Sequence, residues 1–533
     1  MSLISTLARL EAVHTGRAQA LTTVRHRRLS PRPLVLVPLV TAGEAGAPLG
    51  ALVGCDRAEP RLLFVPQPRD RELRFGFLSA LASVVLPYVD GFAGDVEAVE
   101  RKETDPGTGK RVTVETELCK DAPQLIVPSR PGVEFLRLLG RSMRFRRTAE
   151  QDPEAPYPAP PHVPLLGRWL THFGERSRVP GSALLLPMTE LLSRHWATGQ
   201  SNLEDQHLGA LLAWLDPPEG LSGAEAALAA ELDRDGEGQL RLPPAGPATD
   251  PAFDNRLLAP AIERWDRARA ALAGAEEGGE ADRLLGALSA AEREIGGLVL
   301  SRTRPTWDAV WRGLDLLREL PEGGYAQERW TRDRWSYTAH RDRIAAGEPP
   351  QPRRDDAVTA ARKLAARERE QARLDAQEAL DDPLVMAARR LSGEAFVGEV
   401  TGVEMTYTDS RRPSPRPLLT LRTDDRPQVA ERMKVFRVLD GKPQTAQYVR
   451  TDEEGALVLR VLDRMGRGRE PAEGSVPEVG ATVCFTLFAH DQRPGAALPE
   501  AEDTPWTHGG PPSGPQDVPL PEPPDPVTEE DLL

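Results

Sequence analysis

Cysteine is scarce in this chain of 533 residues: Cys55, Cys119 and Cys484 are its only three, and they lie far apart. That excludes a disulfide framework and a four-thiolate zinc site, and makes a reducing cytoplasm the expected setting. Long apolar runs are also missing. The best candidates are broken by Pro38 and Pro87, short of the ~18 residues that span a bilayer. The opening residues, Met1 to Leu10 with Glu11 soon after, lack the basic head, apolar run and cleavage site of a secretion signal. No membrane association is expected.

Catalytic signatures are equally sparse. Nine histidines form neither a His-Glu-x-x-His pair nor a cluster at zinc spacing, a Gly-x-Ser-x-Gly elbow is absent, and no glycine-rich dinucleotide turn follows a strand. Pro106 to Arg111 (PGTGKR) has the Gly-Lys of a phosphate loop, but Thr104 and Arg111 stand where Gly and Ser or Thr are needed. A hairpin turn accounts for it better. Asp233 to Gly238 (DRDGEG) opens like a calcium loop, yet Pro244 occupies the position of the closing carboxylate. Glu115, Glu117 and Lys120 have residue types found in metal-dependent nucleases, but Glu117 and Lys120 are three apart and would face opposite sides of a strand. Neither a cofactor nor a metal site is expected, and an enzyme of unfamiliar type using Glu115 and Glu117 stands third among the readings.

Hydrophobic residues make up 40% and charged residues 28% of the chain, the balance of a folded, soluble body. At this length about three folded units are expected. The 51 prolines and 45 glycines exceed globular usage, so part of the length should be linker or tail. Net charge is −14, of which the 43 residues from Asp491 onward carry −9, with ten acids and one arginine. That segment also holds eleven prolines and is expected to be disordered, as a partner tether or an internal competitor for a basic groove.

Periodicity divides the remainder. Leu3, Ile4, Leu7, Leu10 and Val13 fall on one helix face, and apolar runs at 33–40, 49–55 and 61–66, separated by Gly, Pro and Asp, read as antiparallel strands. A helix follows over 69–88, then strands at 111–118 and 124–127, and a helix opened by Pro131. Six prolines in 151–164 mark a boundary. Helical spacing then dominates, with Asn202 as an expected N-cap for a helix through Leu215, and with Trp307, Trp311, Leu314 and Leu317 on one face. Residues 355–390 read as one long solvated helix bent at Pro383, and six short strands follow between Phe396 and Phe488.

The expected fold class is therefore α+β multidomain. A mixed α/β domain spans 1–150, a Pro-rich linker 151–164, a helical domain 165–350, a long charged helix 351–392, a small all-β, OB-like module 393–490, and the acidic tail 491–533.

Two stretches carry the functional expectation. Arg329 to Arg343 (RWTRDRWSYTAHRDR) interleaves five arginines with Trp330, Trp335 and Tyr337, a mixture suited to the phosphates and bases of single-stranded nucleic acid. The competing reading is a helix that docks its tryptophans on a neighbour and solvates its arginines. The second stretch is the β-module, where Tyr407 and Tyr448 accompany basic loops at Arg411, Arg412 and Arg416 and at Arg464, Arg467 and Arg469, although its fourteen basic and fourteen acidic residues balance. In size and pattern this module resembles small barrels attached to helicases and other nucleic-acid machines.

The leading expectation is a non-catalytic accessory or adaptor subunit whose Arg329, Arg332, Arg334, Arg411, Arg412, Arg467 and Arg469 meet phosphate while Trp330, Trp335, Tyr407 and Tyr448 stack, all in one trough. A helicase-like or other nucleic-acid enzyme would be the partner that supplies chemistry. The alternative is a protein-interaction scaffold subunit of a cytoplasmic complex that binds no nucleic acid.

Overall fold

A computed structural model of the chain describes residues 3–44, 46–104, 111–276, 278–466 and 468–490. The phosphate-loop-like stretch, Arg467 and the acidic tail fall wholly or mostly outside the described residues.

The chain opens with α1 (Leu3–Thr15) and the two-residue strand β1 (Gln19–Ala20), and then enters a five-stranded sheet. Its first three strands, β2 (Leu34–Val40), β3 (Pro48–Gly54) and β4 (Arg61–Phe64), form the expected antiparallel meander. Every residue of β2 is buried, as its unbroken LVLVPLV run requires of a central strand. Pro38, which has no N–H to give, lies beyond Val35, where pairing with the neighbouring parallel strand ends.

Asp70 starts α2 (Arg71–Asp90) by accepting hydrogen bonds from the Glu72 and Leu73 amides. Among the described residues this is the one helix long and apolar enough to cross a membrane. Its Phe77, Leu78, Leu81, Val85 and Val89 are buried in the core that holds the sheet, which is how a core helix uses such a composition. The hairpin of β5 (Val96–Thr104) and β6 (Arg111–Cys119) leads to β7 (Leu125–Val127), α3 (Arg130–Met143) and α4 (Val163–Arg176). The last two helices touch backbone to backbone at glycines. A Cβ on Gly140 would stand 2.6 Å from the Thr171 nitrogen, and one on Gly167 2.5 Å from the Arg144 nitrogen.

Here the structure departs from the expected boundaries. Across the Pro-rich segment, β8 (Leu185–Pro187) pairs parallel with β7 and completes the sheet in the order β4-β3-β2-β7-β8. One hydrophobic core runs from Leu29 to Tyr337, so 1–150 and 165–350 are one folded body. The sequence hides this because parallel partners need not be neighbours in the chain.

α5 (Met188–His195) and β9 (Trp196–Ala197) precede α6 (Leu208–Leu215) and α7 (Gly223–Leu232). The expected cap Asn202 lies outside α6. His207 caps it, accepting from the Ala210 amide at 3.2 Å, while Asn202 binds Arg9 at 2.5 Å. α8 (Pro251–Phe253) runs through a π-type turn into α9 (Ala259–Ala273). The 41-residue α10 (Gly279–Glu319) then buries Trp307, Trp311, Leu314 and Leu317 as their spacing predicts, followed by α11 (Ala326–Ala345).

The expected long helix is two, α12 (Ala357–Asp381) and α13 (Pro383–Leu391). Asp382 between them has extended backbone, caps the Leu384 amide at 2.9 Å and accepts from the Thr23 amide at 2.7 Å. α12 is also less solvated than its composition suggests, since Leu374, Ala376, Gln377 and Ala379 are buried.

The six expected strands are all present as β10 (Ala395–Glu404), β11 (Leu418–Arg422), β12 (Lys434–Leu439), β13 (Lys442–Thr451), β14 (Leu457–Val461) and β15 (Thr482–Thr486). They close into a barrel in the order β10-β11-β14-β13-β12-β15 around Phe396 and Phe485, whose rings stack at 5.8 Å. A closed ring of six differs from the partly open five-stranded barrel of the OB fold.

Candidate nucleic-acid interface

The residues expected to form one trough occupy three environments. α11 faces two ways, and most of its arginines and aromatic rings are engaged inside the protein. Arg329 is buried, with hydrogen bonds to the Gln377 side chain at 2.9 Å and the His26 carbonyl at 2.6 Å. That burial, the largest cause, lowers its pKa from the ordinary arginine value. Trp330 is buried and donates its indole N–H to Asp121 at 2.8 Å. Arg334, also buried, donates to the Cys119 carbonyl at 2.7 Å and pairs with Glu97. Trp335 is half-buried beneath the Arg101 guanidinium, 5.3 Å from the ring centre. These four are therefore removed from an open binding surface. Their partners come from β5, β6, the β6–β7 turn, α12 and the 20s segment, all distant in sequence.

Arg332 looks the other way, into a cavity of about 450 Å³ between α4, α11 and α12 that Arg176, Arg343, Lys363 and Arg367 also line. The cations converge, but carboxylates meet most of them: Arg332 lies 3.1 Å from Glu328, Arg176 2.8 Å from Asp333, Lys363 2.6 Å from Asp355 and Arg367 3.3 Å from Glu175. An ion-paired cavity of this kind offers phosphate little uncompensated charge.

The third environment is one rim of the barrel. The β10–β11 connection folds back as a tongue held by backbone bonds, Thr408 to Ser414 at 2.9 Å and Arg416 to Thr406 at 2.7 Å. This places Arg411 and Arg412 at its exposed tip. Arg469, from the β14–β15 connection, rests over the Tyr407 ring at 5.8 Å, and that ring is 43% exposed. Arg411, Arg412 and Arg469 make no ion pair among the described residues, though Asp409 and Glu470 adjoin them in sequence. Tyr448 is not part of this rim. It is half-buried against the barrel core and its hydroxyl meets Thr451 at 2.7 Å. No hydrogen bond, ion pair or ring contact among the described residues joins the rim to α11.

No protein-family model, curated protein or solved structure matches the chain. Its chemistry rests on its own geometry.

The acidic strand considered for metal chemistry is β6. Glu115 stands opposite Glu100 across the hairpin and Glu117 opposite Ala98, while Lys120 pairs with Asp95 at 2.6 Å. No group of three or more His, Cys, Asp or Glu side chains among the described residues could hold a metal ion. In the calcium-like loop, the Asp235 carboxylate already accepts the Glu237 amide at 3.0 Å and the Gln239 amide at 2.9 Å.

Proposed function

We propose that the protein is a non-catalytic accessory subunit that engages single-stranded nucleic acid through the rim of its C-terminal barrel, with a helicase-like or other nucleic-acid enzyme as partner. The observation that supports this is the set of guanidinium groups at Arg411, Arg412 and Arg469, exposed and without ion-pair partners among the described residues, beside the open ring of Tyr407. Guanidinium neutralises phosphate, and an aromatic face stacks on any base. The footprint is smaller than composition suggests, since α11 contributes nothing to it. Three free thiols fit a reducing, cytoplasmic setting.

Fluorescence anisotropy with a labelled oligothymidylate tests the reading. Three phosphate contacts predict that log K falls with log salt at a slope of roughly −2. Changing Arg411, Arg412 and Arg469 together to Ala should flatten that slope, and Tyr407→Ala should weaken binding by about 1–3 kcal/mol at any salt. A triple variant that binds as the parent does would end the proposal.

A scaffold reading has separate support in α1. Ala12 packs inward with α6 and α7, whereas Leu3, Leu7, Leu10 and Val13 point outward at 61%, 53%, 62% and 62% exposure. An i, i+4, i+7 leucine stripe is the seam of helix-on-helix packing, and it is self-complementary, so a second copy is the occupant we infer. Light scattering across a concentration series should show a dimer that Leu7→Glu with Leu10→Glu converts to monomer. A parent chain that stays monomeric throughout would exclude self-pairing.

A further inference from the structure

A cavity of about 530 Å³ lies between the α12–α13 joint and one seam of the barrel. Closure rids a sheet of its edges only where neighbouring strands are hydrogen-bonded along their length. Five of the six seams in this barrel hold four to six residue pairs each, whereas β12 and β15 share one, Phe436 with Thr486.

The alternation of antiparallel hydrogen bonds fixes what that short seam leaves over. In β12 the odd-numbered residues serve β13, because the Tyr448 amide donates to the Met433 carbonyl. In β15 the odd-numbered residues serve β10, because the Leu487 amide donates to the Glu394 carbonyl. The N–H and C=O groups of Val438, Thr482 and Cys484 therefore point into the seam. Val438 and Cys484 would form the next rung beyond Phe436 and Thr486, and that rung is absent among the described residues. All three residues line the cavity. Backbone polar groups require partners, so the barrel carries an open strand edge at this one place.

The rest of the wall specifies what fits. Leu380, Pro383 and Met386 bring apolar surface to the cavity from the helices, and Val438 is 47% exposed. The aspartates and the arginine at the cavity are engaged elsewhere. Asp381 accepts the Tyr325 amide at 3.1 Å, and Asp382 accepts the Thr23 and Leu384 amides at 2.7 and 2.9 Å. Arg437 alternates with its neighbours into the barrel interior, where its guanidinium donates to the Gln444 side chain and to the Ser475 carbonyl at 2.9 Å. An occupant thus needs N–H and C=O groups at strand spacing, apolar side chains and no net charge.

We propose that this seam docks an extended, uncharged apolar segment of a partner protein, which enters as a seventh strand antiparallel to β15. Backbone groups along one side of the segment pair with Thr482 and Cys484, and those along the other with Val438. Its side chains lie on the Leu380 and Met386 wall. None of these residues belongs to the rim, so peptide and nucleic acid would not compete.

Hydrogen exchange of the full chain, read by mass spectrometry, tests this with a pool of capped pentapeptides that carry Thr at each end and Val, Ile or Leu between. Residues 434–439 and 482–486 should exchange at least about tenfold more slowly with the pool. The same pool methylated on alternate backbone nitrogens keeps its side chains but loses donors, and should leave exchange unchanged. Val438→Asp, at an exposed position, and Met386→Trp, which fills the cavity, should each abolish the slowing while the unfolding midpoint holds. No slowing with the pool overturns the proposal. So does equal slowing by the methylated pool, slowing that survives both substitutions, or slowing that appears without peptide as protein concentration rises, which would make a second copy the occupant.

Discussion

Replacing Asp333 with alanine is expected to destabilise the protein by about 3–5 kcal/mol, the range for removing one partner of a buried charge pair. Asp333 has 0% exposure and lies within the segment whose composition first suggested an open, basic surface. One carboxylate oxygen accepts from Arg176 at 2.8 Å and from the Ser182 hydroxyl at 2.7 Å; the other accepts from the Ala183 amide at 2.6 Å. Alanine would leave three donors unmet where α11 crosses the entry to β8. Asn keeps the shape and an acceptor oxygen, so Asp333→Asn should cost less. Urea unfolding of both variants measures the difference, and a loss under about 1 kcal/mol for alanine would show that the cluster does not seat α11.

Trp307→Ala should produce a loss of similar size, about 3–5 kcal/mol. The ring is completely buried, its N–H donates to the Arg57 carbonyl at 3.1 Å, and it meets Trp311 edge to face at 5.8 Å. Removing it opens a void where α10 lies on the sheet and leaves the Arg57 carbonyl without this donor. Thermal or chemical unfolding followed by tryptophan fluorescence reads the change. A variant as stable as the parent would mean that the sheet and α10 close over the gap.

The barrel was legible in the chain because its apolar runs are short and most are separated by Gly, Asp or Pro turns. The burial of Trp307 and Trp311 was equally open to reading, since a period of 3.6 survives in any neighbourhood. What could not be read is the fate of charge. Arg329 and Arg334 look solvated in sequence because their acceptors, the carbonyls of His26 and Cys119, are backbone atoms carrying no compositional mark. The joining of β7 to β8 is invisible for a related reason. Three-residue strands show no period, and a tract with six prolines between the flanking helices suggests a hinge. The Gly140 and Gly167 contact is hidden too, because glycine in a helix usually reads as a weakness. Of the candidate interface, the rim was recognisable from its loops, whereas the ion pairing of Arg332 with Glu328 beside the cavity between α4, α11 and α12 emerges only on folding.

The strand pairing across the Pro-rich segment bears on how the chain can be handled. Cleavage between 153 and 160 should give two fragments that migrate as one particle until denatured, since β7 and β8 would still hydrogen-bond and α3 would still grip α4. Expression of 1–150 alone would lay bare the edge of β7 and the inner face of α3, so such a fragment should be recovered in inclusion bodies unless the remainder of the body is co-produced with it.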